Sequence, residues 1–455
     1  MDGQGFRMEE DLLGKVEVPS EALYGAQTRR AVQNFPLRGE RTIGSYRELV
    51  AALLAVKTAA ASANVRAGLL APPVGEAIAS AAGSVLEKEL FDEFPIHRLH
   101  GGGGTSANMN VNEVLANAAE ELLGGRRGEY RLVHPNDHVN LNQSTNDAYP
   151  TACHVALVKA WKPLSESLGR LASALRAKGA ELSGAPRLAR TCLQDAVPTT
   201  WDALFGGWAC LVERGRDRAA DAVDRLHRVN LGGTVMGDGA DVPAAYLDAV
   251  IPALCAATGD PRYEHAANLY DAAQNPDDMV NVATQLGLLA RGLVKIAKDL
   301  RLLSSGPEGG LGELRLPPRQ PGSSAMPGKV NPVIPEFVVQ LCLSVIGRQA
   351  ACEAAIDHGE LDLNVWESLV LFETLDAMSL LGNSADTLAA FCVSGITADR
   401  EVNARHATTL IPTLSRLSRQ HGYGVVTAAC KEAGSEPSRV REALARRGWE
   451  VPRER

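Results

Sequence analysis

The strongest constraint on this chain is the length of its helical patterning. Between about residues 145 and 395, the stretches 151–178, 201–229, 277–304 and 335–357 keep apolar residues at three- and four-residue spacing. A 28-residue helix spans about 42 Å at the usual rise per residue. Several of them side by side predict a long helical bundle. The stretch after Pro335, "EFVVQLCLSVIGRQAACEAAI", is apolar nearly all round, which predicts a helix buried on every side. Aromatic residues make up only 5% of the chain, so the core must be built from Ala, Leu and Val. That composition suits close-packed helices better than sheets and makes the fold class mainly α.

Three regions follow from this patterning. Residues 1–140 read as a mixed, mostly helical N-terminal domain with glycine-rich breaks. Within it, residues 45–69 form a strong helical pattern, and "HGGGGTSANMN" (100–110) reads as a loop leading into the helical "VNEVLANAAEELLG". Residues 141–395 are the bundle domain. Residues 396–455 form a small C-terminal helical domain, in which "SEPSRVREALARRG" reads as a short capped helix.

The bulk chemistry excludes several partners. Net charge is −8 and no long basic run occurs, which argues against nucleic acid and anionic membrane surfaces. The N-terminus is acidic and lacks an apolar segment of the secretory kind, and no uninterrupted apolar run reaches membrane-spanning length. The eight cysteines form no C-x-x-C pair and read as reduced thiols of a cytoplasmic protein.

Four polar loops interrupt the apolar background: "GGGGTSANMN" (101–110), "NQSTND" (142–147), "ARTCLQDAVP" (189–198) and "GSSAMPGKVNP" (322–332). Pro327 and Pro332 keep the last of these out of a helix interior, and its glycine content keeps it out of a central strand. Hydroxyls and amides beside helix starts suit an anion, and Lys329 adds the one full positive charge of its loop. Together they suit a small substrate bearing carboxylates.

Each loop also has an ordinary reading. "STND" before a helical run is an N-cap signature. "GGGG" carries no phosphate fingerprint, and no G-x-S-x-G elbow accompanies Ser323 or Ser324. Lys329 has no phosphate-binding loop that would mark a pyridoxal phosphate site. His134 and His138 have metal-pair spacing but no third ligand, and read as solvated or capping residues. Neither a metal nor a cofactor is expected.

Taken together, the motifs are far more specific. "GSSAMPGKVNP" closely resembles the signature loop of the aspartase/fumarase superfamily of lyases. "LYGAQTRRAVQNF" (23–35), "GGGGTSANMNVNEVLAN" (101–117), "HPNDHVNLNQSTNDAYPTA" (134–152), "LQDAVP" (193–198) and "GELDLNVWESLV" (359–370) resemble its other motifs in the same order. "GTSANMN" and "LQDAVP" are more similar to aspartases, whereas "YGAQT" and "LGEL" lean towards fumarases. The aspartase-like ranking comes first.

The resemblance implies a three-domain helical fold whose central bundle assembles into a homotetramer, with each active site shared by three subunits. It implies β-elimination from a C4 dicarboxylate to give fumarate through an aci-carboxylate intermediate. Ser323 is implied as the general base. Thr105, Ser144, Thr145 and Ser324 would bind the carboxylate that becomes the aci form. Thr191, Lys329 and Asn331 would bind the other carboxylate, and Asn146 with Thr105 would face the leaving group.

One departure bears on the leaving group. Where the family carries a histidine, this chain has Cys192, although the histidine's usual carboxylate partner is retained as Glu336. A thiol is a weak donor and acceptor and does not replace an imidazole. Nitrite or a substituted amine therefore stand beside ammonia and water as leaving groups. A non-catalytic relative is the alternative of another class, and retention of Ser323, Lys329 and Asn331 argues against it.

Overall fold

The computed structural model describes residues 5–434 and 436–451. Its helices are α1 (Ala26–Asn34), α2 (Arg47–Arg66), α3 (Pro72–Glu87), α4 (Thr105–Leu122), α5 (Thr145–Glu181), α6 (Trp201–Arg225), α7 (Ala244–Thr258), α8 (Leu269–Gln274), α9 (Asp277–Leu303), α10 (Val333–Ile356), α11 (Glu367–Phe391), α12 (Arg400–Ala407), α13 (Leu410–His421), α14 (Tyr423–Ala433) and α15 (Pro437–Arg446). Strands pair only as two-stranded ribbons among the described residues. The longer ones are β1 (Phe6–Asp11) with β2 (Gly14–Pro19) and β3 (Pro186–Thr191) with β4 (Gln194–Thr200), both antiparallel. The helical spacing therefore located α6, α9 and α10 to within four residues and α5 to within six, because apolar periodicity is a local property of the chain, whereas α11 was not singled out.

Two compact units emerge. One comprises Met1–Ser165, Asp217–Leu288 and Ser344–Leu380; the other comprises Glu166–Arg216, Leu289–Leu343 and Leu381–Arg455. In the first, α2 packs on α3 and α7, and α4 on α1 and α3. The α2 face that makes these contacts is built largely of small residues, Ala52, Ala59, Ala60 and Ala63 all being inaccessible to solvent. Small side chains let helix axes approach closely. In the second unit, β3 packs on α12 and β4 on α13. Leu417, Val426, Ala429, Val440 and Leu444 make a separate small cluster there, covered by Trp449. Residues 1–4 and 452–455, at the outer edges of the expected first and third domains, and 435, the first residue of "SEPSRVREALARRG", lie outside the described residues.

Of four expectations, the first, third and fourth are corrected and the second stands as stated. First, α10 is not buried on every side within the chain. Only 28% of its apolar stretch is buried, against 72% for α2, and Phe337 and Leu343 stand 42% and 56% exposed. An apolar pattern states that a surface is suited to exclude water; it does not state which chain covers it. Second, α2 and α10 are each long and apolar enough to cross a membrane by length and composition, though neither is an uninterrupted apolar run. Third, the helix after the four glycines begins at Thr105, so half of the expected loop is helical. Gly104 makes the junction with φ 85°, and a Cβ there would lie 2.3 Å from the Tyr149 ring, which leaves room for glycine alone. Fourth, "ARTCLQDAVP" is a β-hairpin, not a loop. At the C-terminal end, α15 begins at Pro437, and its Glu436 side chain makes no capping bond.

Candidate active site

The signature loop is closed at its base by two bonds. Gly322 N–H donates to the Lys329 carbonyl at 2.8 Å, and Asn331 Nδ2 donates to the Gly322 carbonyl at 2.9 Å. A Cβ on Gly322 would lie 2.6 Å from the Asn331 nitrogen, so this close approach requires glycine. Inside the loop, Ser323 Oγ accepts from the backbone N–H of Ala325 at 3.1 Å and of Met326 at 2.9 Å. The donors that face Ser323 are thus these two amides and not Ser324, whose side chain is exposed. Ser323, Met326 and Lys329 line an open pocket of about 500 Å³ together with Arg319 and the surrounding prolines. Lys329 is exposed, and its ammonium has no partner among the described residues.

Thr191 and Cys192 sit at the tip of the β3–β4 hairpin, both exposed. Thr191 pairs with Gln194, leaving Cys192 and Leu193 as a two-residue turn with φ of 52° and 60°. Two successive left-handed residues are the mark of a type I′ turn, where Asn-Gly is the usual solution. A Cys-Leu turn carries roughly 1–2 kcal/mol of strain per residue. The strand behind it is anchored: Arg190 meets Glu313 at 2.6 Å, and His406 Nδ1 of α12 lies 2.7 Å from the same carboxylate. Glu336, expected beside residue 192, has its side chain 3.5 Å from Arg301. Hairpin and signature loop share no hydrogen bond among the described residues.

The third group lies at the start of α5. Ser144 Oγ accepts from Asn146 N–H at 3.2 Å, and Asp147 accepts from Ser144 N–H at 2.9 Å, a reciprocal capping box. The ordinary reading of "STND" is therefore realised. Asp147 does more: its other oxygen accepts from the backbone of Gly232 and Thr234. Burial raises the Asp147 pKa, and those amides and Lys57 oppose the rise. Lys57 itself is pushed down to about 7 by burial, with Asp147 opposing. Asn146 Nδ2 donates to the Val235 carbonyl at 2.9 Å, and its second N–H and its acceptor Oδ1 make no hydrogen bond among the described residues. Thr105 is exposed at the first position of α4.

His134 and His138 are capping residues. His134 Nδ1 accepts from the N–H groups of Asn136 and Asp137, and His138 Nδ1 from that of His134.

Thr105, Ser144, Thr145 and Asn146 belong to the first unit, and Thr191, Cys192, Ser323, Ser324, Lys329, Asn331 and Glu336 to the second. Sequence reasoning passed over Lys57, Asn108 and Asn140, which support the first group from below. A lysine in the middle of the apolar run "LLAVKTAAAS" was the available signal.

Polar side chains lie at loops and helix starts of a long-helix fold, and comparison with known proteins shows that fold to be a lyase's. Residues 14–347 match a family described as lyase. Aspartate ammonia-lyase of Pseudomonas aeruginosa is 43% identical over 433 residues, covering 95% of this chain and 88% of the relative. Class II fumarate hydratase of Ralstonia nicotianae is 40% identical over 444 residues, covering 97% and 95%. The crystal structure of a fumarate lyase:delta crystallin from Brucella melitensis bound to cobalt superposes with a TM-score of 0.93 at 40% identity, covering 98% of this chain and 97% of that one. The chain belongs to the aspartase/fumarase superfamily of lyases and is an enzyme of that type.

Proposed function

We propose that this lyase eliminates the C2 substituent of a 2-substituted succinate to give fumarate, with Ser323 as general base. The observation that carries the reading is the pair of backbone N–H groups aimed at Ser323 Oγ. A serine hydroxyl is a weak base unless its alkoxide is stabilised, and two preset amide donors do that without reorganisation. Ser323 removes the C3 proton. The adjacent carboxylate becomes a dianionic aci form, held by Thr105, Ser144, Thr145 and Ser324. Thr191, Lys329 and Asn331 hold the other carboxylate, and collapse of the aci form expels the group on C2. The reading invokes no cofactor.

The nitrogen-bearing leaving group has two readings. Cys192 in place of an imidazole supports a self-sufficient leaving group, such as nitrite from 2-nitrosuccinate. A nitro group has only acceptors and departs as a stable anion. Asn146 supports an amine, since its Oδ1, an acceptor with no hydrogen bond among the described residues, suits a donor-only ammonium. The enzyme is proposed to act as a cytoplasmic homotetramer of three-domain subunits, three of which share each site. The exposed apolar face of α10 supports that assembly.

The test is fumarate formation, followed by its ultraviolet absorbance, from aspartate, malate and 2-nitrosuccinate, with sedimentation to read the assembly. Failure to form fumarate from any of the three sinks the reading.

A further inference from the structure

Behind Thr145, a series of amides runs back to a buried lysine, and the donor inventory sets its direction. Lys57 Nζ lies 3.0 Å from Asn140 Oδ1 and 2.9 Å from Gln143 Oε1. Nζ carries enough hydrogens to donate to both whether it is an ammonium or an amine, so both facing atoms are oxygens. Asn140 therefore turns its Nδ2 to the Gln143 carbonyl, 3.0 Å away. Asn112 Nδ2 and Asn108 Nδ2 each approach the same Asn140 Oδ1 at 3.1 Å. Flipping Asn108 would set two carbonyl oxygens against each other, so its NH₂ end faces this way. The second hydrogen of that NH₂ points to Thr145 Oγ, also at 3.1 Å. Thr145 Oγ thus accepts from Asn108, and its own O–H makes no hydrogen bond among the described residues.

We infer that Asn108 is a positioning residue that holds Thr145 as a hydrogen-bond donor towards the substrate carboxylate, with Lys57 and Asn140 orienting Asn108. A hydroxyl is free to rotate and can donate or accept. An anionic carboxylate needs the donor, above all as charge grows on it in the aci form. The relay supplies that orientation before substrate arrives. The inference rests on the reading of Thr145 as a carboxylate-binding residue.

The test is a double-mutant cycle over the wild type, Asn108→Leu, Thr145→Val and the pair. Two quantities are measured: kcat/KM for fumarate formation, from whichever of aspartate or 2-nitrosuccinate the wild type turns over, and the Kd of fumarate. Asn108→Leu is expected to lower kcat/KM about tenfold to a hundredfold, the scale of one hydrogen bond to a charged group. In the Thr145→Val background the same change is expected to cost about twofold or less. Equal losses in both backgrounds mean a merely structural role and overturn the inference, as does an unimpaired Asn108→Leu. If that variant does not fold, Asn108→Asp runs the same cycle, since it keeps the size but offers Thr145 an acceptor and draws its proton inward. Full activity of Thr145→Val in an enzyme that forms fumarate removes Thr145 from substrate binding, and the inference falls with it. Absence of fumarate from the wild type is the separate failure of the proposed reaction.

Discussion

Met326 donates its backbone N–H to Ser323 Oγ at 2.9 Å, across a loop that Gly322 and Asn331 close at the base. The bond is an ordinary serine turn in which a hydroxyl caps the amides two and three residues ahead. The same two amides stabilise negative charge on that oxygen. Local turn geometry and the proposed base chemistry are thus one arrangement.

Ser323→Ala is expected to lower kcat about 10²–10⁴-fold, the usual contribution of a positioned general base. The fold and assembly should be kept, because the two freed amides lie in an exposed loop where water takes the place of Oγ. Single-turnover fumarate formation beside circular dichroism separates the two effects; wild-type turnover in the variant removes Ser323 from the mechanism.

Lys329→Ala should raise KM and lower kcat together, with kcat/KM down about tenfold to a hundredfold. The ammonium has no partner among the described residues, so little stability is at stake and the loss reads out carboxylate binding. An unchanged kcat/KM places the carboxylate clamp elsewhere.

Cys192→His tests the leaving group. In the nitrite reading, the wild type releases nitrite from 2-nitrosuccinate and deaminates aspartate poorly, and the histidine variant shifts the ratio towards aspartate. Rapid aspartate deamination by the wild type, with no nitrite from the nitro acid, would leave the amine reading favoured by Asn146. Histidine meets the same left-handed backbone at position 192 and tolerates it at least as well as cysteine does.

Glu367→Gln concerns stability. Burial raises the Glu367 carboxyl to about 8, and no positive side chain pairs with it among the described residues. Its titratable neighbours are Tyr149 and Cys153 of α5, whose own pKa values burial also raises. Between the unfolded value of 4.5 and about 8 the folded state holds a proton that the unfolded chain has released. Stability from this group is therefore full below 4.5 and lost as pH rises through about 8. The glutamine variant, neutral throughout, should match the wild type at low pH and exceed its Tm increasingly as pH rises through that window. Parallel Tm curves for the two proteins would show that Glu367 does not titrate in this way.

What the sequence determined by itself was everything carried by neighbours along the chain. The long helices follow from three- and four-residue spacing, and the exclusion of "GSSAMPGKVNP" from any helix or central strand follows from its prolines and glycines. The family follows from contiguous motifs in a set order. Tertiary structure alone decided the rest. The β3–β4 hairpin escapes pattern reading because Cys192 and Leu193 occupy a turn that normally takes Asn-Gly, and partners far along the chain, Glu313 and His406, hold its strand. The pairing of Glu336 with Arg301 and the exposure of α10 depend on which surfaces the chain itself covers. The orientation of Thr145 depends on Asn108, Asn140 and Lys57, brought from three other segments. A hydrogen-bond direction is a property of donors and acceptors meeting in space, and no spacing along one segment encodes it.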